Sequence, residues 1–212
     1  MKASVIERLL KPKSSKKIIS SSFKLFKFTK KNRRERIILL FCAFIPAALV
    51  GASVNTVEVF VEAIQTILDV VLAIFGIVFT GYSFFQALIN DELLIRMIDD
   101  TVNNEDGEEI SKLQETNELF VKCMMLELFS ILLSLTLKIV VSCIDKNFSL
   151  FNQVWKNNML AISLIYIYFS IIAIVLWEIK SFIFNVFQLF NAYAGNKVVE
   201  AIRQNIDRKN DE

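Results

Sequence analysis

The chain has 212 residues, 54% of them hydrophobic, with five Gly, two Pro, no His, and 24 Lys or Arg against 22 Asp or Glu. A mean hydropathy of +0.49 and long unbroken apolar runs exclude an ordinary soluble domain, which would interrupt such runs with polar faces. The missing His removes the commonest general base and metal ligand. The three Cys (Cys42, Cys123, Cys143) each sit in an apolar block and suit packing better than a disulfide or zinc frame.

Residues 1–36 hold thirteen Lys or Arg against Glu7 and Glu35. Ile18, Ile19, Phe23, Leu25, Phe26 and Phe28 are interleaved there with Lys24, Lys27, Lys30 and Lys31. This pattern predicts an interfacial arm, with aromatics in the headgroup layer and Lys30, Lys31, Arg33, Arg34 and Arg36 binding anionic lipid. The basic stretch is too long for a conventional secretory signal. Direct nucleic-acid binding is disfavoured, because the adjoining apolar run fixes the arm at a bilayer.

Span one is read as Ile37 to about Val54. Ala47/Gly51 and Ala48/Ala52 have the spacing that lets helices approach closely, although Ala and Gly are common in spans in any case. Pro46 is a candidate kink. After an outside turn, Asn55–Glu62, span two continues to about Ile89, with Gly76, Thr80 and Gly81 as a second close-packing strip.

The helix is expected to leave the membrane without stopping. A turn at Asn103–Gly107 follows, and a second helix returns from about Glu108. This segment, 91–118, packs ten carboxylates against Arg96 and Lys112. Glu105, Asp106, Glu108 and Glu109 are its candidate partner-binding residues. Span three ends near Ile144, and Met159 to about Glu178 is span four. Beyond it, Ile183, Val186, Phe187 and Phe190 recur at helical spacing, as a surface helix or a long extension of span four.

The expected fold is therefore an all-α, integral-membrane four-helix bundle with a cytoplasmic helical hairpin between spans two and three. Its parts are the arm 1–36, spans one and two 37–90, the acidic tip 91–118, spans three and four 119–179, and an amphipathic tail 180–212. The positive-inside bias puts both termini and the tip in the cytoplasm, because the two opposite loops hold none and two of the cations. Four spans of this length bury little against one another, so a homo-oligomer is expected.

Charges inside spans are expensive and should face the bundle interior or reach an interface. Asp69 and Lys138 fall at similar depth and are candidates for an ion pair. Glu127 lies eleven residues before Lys138, about three turns, so both leave the same helical face. Tyr82, Ser83 and Gln86 are its candidate hydrogen-bond partners. The three charges either line an ion path or switch, or are structural pairs with Lys138 snorkelling. No metalloprotease, phosphate-loop or nucleophile-elbow motif occurs, so no enzyme, cofactor or metal is expected.

The layout of the whole chain resembles that of membrane subunits of bacterial anti-phage systems, such as those of the Kiwa type. The likeness lies in that layout and in no motif residues. It implies a bacterial inner-membrane protein working in phage defence. The reading that combines these observations is a non-enzymatic oligomeric sensor or anchor that recruits a cytosolic protein. The alternative is a pore-forming, holin-like effector.

Overall fold

The computed structural model describes residues 14–26, 32–103, 107, 109–145 and 148–211. Helix α1, Ser15–Phe23, is followed by a 3-10 turn, Lys24–Phe26. Next come α2 (Arg33–Gly51), α3 (Thr56–Leu88) and the short α4 (Asp91–Asp99). Strands β1 (Thr101–Asn103) and β2 (Glu109–Ser111) precede α5 (Lys112–Ser142) and α6 (Val154–Asp211).

Three helices are long and apolar enough to cross a membrane: α3, α5, and α6 over Val154–Val199. They are apolar on most sides, and many of their large side chains remain uncovered, as do Ile37, Ile38, Phe41 and Leu49 of α2. Such faces are what a hydrocarbon solvent permits and water does not.

The four long helices alternate in direction. α2 lies antiparallel on α6, with Gly51 against Ile162 at one end and Arg36 against Glu178 at the other. α3 lies antiparallel on α5, with Gln65 beside Lys138 and Gln86 beside Asn117. We call the two ends of the bundle the loop end (Ala52–Asn55 and the connection after Ser142) and the arm end.

Ala43, Ala47 and Gly51 form a small-residue stripe along α2, all three buried. A Cβ on Gly51 would stand 2.5 Å from Ile162 Cγ1 and 2.9 Å from its backbone. Here the closeness of the helices depends on glycine. The neighbouring pair Ala48/Ala52 is not the contact, since Ala52 is exposed. In the other expected strip only Gly81 packs, with its Cβ position 3.0 Å from the Phe182 ring; Gly76 faces open space and Thr80 is exposed.

Near the arm end a second core forms around Phe120, which is fully buried. Tyr82, Phe85 and Phe182 place their rings 5.2, 5.5 and 5.1 Å from it. Such ring pairs add to the burial of their area.

Two expectations at the acidic segment are corrected. The helix does not run on past Leu88. Ile89 is extended, and Asn90 accepts the Leu93 N–H at 2.9 Å, capping a new helix. The segment is also not a helical hairpin. Thr101, Val102 and Asn103 pair antiparallel with Ser111, Ile110 and Glu109, and Gly107 takes φ +78°. β-Branched residues on both arms of an Asp-Gly turn favour strands over helix. The returning helix therefore starts at Lys112 rather than Glu108, with Ser111 Oγ accepting the Gln114 N–H at 3.1 Å. The turn expected over Asn55–Glu62 lies instead at Ala52–Asn55, because α3 already begins at Thr56.

Candidate functional site: an ionic clamp and a polar seam

At the arm end two consecutive residues of α2 are fastened to a single stretch of α6. Arg36 Nη2 lies 2.5 Å from Glu178 Oε1, with the arginine side chain 2% and the glutamate 17% exposed. One residue earlier, Glu35 Oε2 accepts the Trp177 indole N–H and a Lys180 ammonium hydrogen, each at 2.9 Å. The Lys180 ammonium also lies 4.5 Å from the centre of the Trp177 ring, a cation–π contact. The hydrogen bonds from Trp177 and then Lys180 hold the exposed Glu35 carboxyl below its usual value of 4.5.

The pairs alternate in sign, acid then base on α2 against base and acid on α6, so register and direction are both specified. This corrects the assignment of Arg36 to lipid binding. Antiparallel packing brings Glu178 opposite it, and a buried guanidinium keeps a counter-ion. Arg33 and Arg34 remain exposed, and Lys30 and Lys31 lie outside the described residues.

At the loop end Asp69 and Lys138 approach the same group without meeting. The Lys138 ammonium donates to Gln65 Oε1, and Gln65 Nε2 donates to Asp69 Oδ1 at 2.7 Å. The expected direct pair is thus a three-member relay. A neutral amide suits that place because it offers an acceptor to the cation and a donor to the anion.

Between the two ends, one face of α5 carries Cys123, Glu127, Ser130 and Ser134, all buried. Ser134 Oγ and the Tyr168 hydroxyl are 2.8 Å apart and join α5 to α6. Glu127 is 1% exposed, and neither carboxyl oxygen has a hydrogen-bond partner among the described residues. The expected partners are engaged elsewhere: Ser83 donates to Phe79 O, Gln86 to Asn117, and Tyr82 stands against Phe120. Helix α1 covers this part of α5, with Phe23 edge-on to Phe129 at 5.0 Å.

Of the acidic candidates only Glu109 is described. Its Oε1 accepts from Thr101 Oγ1 at 2.7 Å across the strand pair. Glu105, Asp106 and Glu108 lie outside the described residues.

Sequence reasoning missed Glu178, Trp177, Lys180 and Gln65. Trp177-Glu178-x-Lys180 sits where Arg36 and Glu35 must sit once α2 and α6 are antiparallel, and that shared depth was the available signal. Gln65 gave none, since an amide in a span is counted as neutral. No group of His, Cys, Asp or Glu suited to a metal occurs among the described residues. Compared with protein-family models, curated proteins and solved structures, the chain matches none.

Proposed function

We propose that the chain is a non-enzymatic, four-span protein of the bacterial cytoplasmic membrane that responds to the lipid surface and recruits a cytosolic protein, working as a homo-oligomer. The fourth span in this proposal is α2. Its apolar part, Ile37–Gly51, falls short of the roughly 20 residues a helix needs to cross, but it is paired with α6 along its length. The cation asymmetry supports cytoplasmic termini and a cytoplasmic acidic segment. The setting in phage defence is supported by the layout alone, and neighbouring genes would test it.

The observation that carries the reading is the clamp. Arg33 and Arg34 stand exposed beside Glu35 and Arg36, which are locked to α6. An arm that shifts on anionic lipid, at roughly 1 kcal/mol per cation, pulls on that lock. A change at the headgroups is thereby passed to α6. Between −8 for residues 91–118 and +11 for residues 1–36, attraction acts over a screening length of about 8 Å. The acidic segment is free for a partner when lipid holds the arm.

Neutralising Glu105, Asp106, Glu108 and Glu109 together should abolish co-purification of the cytosolic partner while the oligomer survives in detergent. Glu127→Gln should leave co-purification unchanged. The pore reading is favoured by one observation, the buried and unpartnered Glu127 on a polar seam. If the acidic-segment variant binds as before and Glu127→Gln abolishes ion leakage or activity, the pore reading replaces the recruiting one.

A further inference from the structure

Glu127 is buried as deeply as the apolar residues around it, at 1% exposure. Its neighbours one turn toward each end of α5, Cys123 and Ile131, belong to two separate apolar cores. Val78 and Val71 of α3, both buried, complete those cores from across the helix pair. The helix that carries the carboxyl is apolar enough to cross a membrane, and the medium outside a crossing helix is hydrocarbon.

The hydroxyl hydrogens on this face are already spent. Ser130 Oγ donates to Leu126 O at 3.0 Å, and Ser134 Oγ donates to Ser130 O at 2.7 Å. The Tyr168 hydroxyl, 2.8 Å from Ser134 Oγ, then donates to that oxygen. The surrounding charges are committed as well. α3 carries no Asp, Glu, Lys or Arg from Val70 to Asn90. Glu178 of α6 holds Arg36 of α2, and Lys180 holds Glu35. On α5 itself Lys138 donates to Gln65. Lys122 lies five residues from Glu127 and leaves the helix about 140° round from it. Helix α1, which packs on α5, has Lys16, Lys17 and Lys24 in its sequence and its following turn. Neither Glu127 oxygen accepts a hydrogen bond from any described residue, the Cys123 thiol included.

An ionised carboxylate in this place would carry its desolvation cost with no donor and no counter-ion to offset it. A carboxylic acid has no charge to desolvate, so a proton takes the place of the missing partner. We infer that Glu127 is a proton-binding site, filled at neutral pH, and that α5 carries a neutral acid in its polar seam. That occupancy is independent of whether the chain recruits a partner or conducts.

The test uses the full-length protein in nanodiscs at neutral pH. Infrared spectra should show a protonated-carboxyl C=O band that shifts in deuterated water, and Glu127→Gln should remove it. Dicyclohexylcarbodiimide, which enters from the lipid, gives a second readout on the unaltered chain should that variant fail to fold. The carboxyl proton passes to one carbodiimide nitrogen and the carboxyl oxygen adds to the central carbon. The acyl group then migrates to nitrogen, so a stable N-acylurea forms and nothing leaves. The adduct should map to the peptide holding Glu127 and not to those holding the exposed Asp69 or the paired Glu178. A water-soluble carbodiimide should leave Glu127 unmodified. The proton site is overturned by a spectrum without the band or by a band unchanged in Glu127→Gln. Equal adducts at Asp69 and Glu127, or attack on Glu127 by the water-soluble reagent, overturn it too. None of these readouts depends on partner binding or ion leakage.

Discussion

The two ends of the bundle solve the same problem differently. At the arm end the charges of α2 and α6 meet directly: Arg36 is buried against Glu178, and Glu35 takes Lys180. At the loop end Asp69 and Lys138 share the Gln65 amide, and Asp69 stays exposed. For Arg36 desolvation decides: a guanidinium withdrawn from solvent keeps an opposite charge in contact, whereas the exposed Glu35–Lys180 pair and the Gln65 relay are not forced by burial. Glu127 fits neither pattern, which is why it stands apart as the pore reading's working residue.

The largest effect should come from breaking the arm end. Glu178→Ala removes the carboxylate packed against the buried Arg36 guanidinium and should cost about 3–5 kcal/mol in unfolding measured in detergent. The double change Arg36→Met with Glu178→Leu should recover most of that loss. Equal losses in single and double variants would mean that the pair does not lock α2 to α6.

The same helix pair closes at its loop end by backbone approach instead of charge. Gly51→Ala should therefore cost roughly 1–3 kcal/mol, since Ile162 backbone must give way. Gly76→Ala, where an added Cβ meets nothing within 4 Å, should be neutral or stabilising by up to about 1 kcal/mol.

A smaller effect sharpens the contrast at the relay. Gln65→Leu should cost about 1 kcal/mol. Coupling between Asp69→Asn and Lys138→Gln, read from a double-mutant cycle, should vanish in the Gln65→Leu background. Persistent coupling there would show that the two charges meet without the amide.

The smallest effect is acid release of Glu35. Its carboxyl titrates below 4.5 in the folded chain, so its contribution is complete above pH 4.5 and is lost as pH falls through the lowered value. With Trp155→Phe as background, the fluorescence of Trp177 should change in that acidic window, and Glu35→Gln should abolish the transition.

How far the sequence could reach depended on which interaction decided each element. Length and hydropathy alone fixed α3, α5 and α6 as candidate spans, because twenty apolar residues admit few other solutions. The break at Ile89–Asn90 was visible only as a capping residue inside an otherwise helical pattern, and periodicity outweighed it. The β-hairpin was hidden by charge: carboxylates around Asp106-Gly107 drew attention from Val102 and Ile110, whose pairing decided the backbone. Arg36 was read with its basic neighbours, whereas its partner lies 142 positions away. Only the directions of α2 and α6 bring them together, and a local pattern does not hold that information.

Helix α6 has 58 residues without a break, about 87 Å at 1.5 Å per residue. It is fastened to α2 at Ile162 and Glu178, to α5 at Tyr168 and to α3 at Phe182, so one beam ties the other three long helices together.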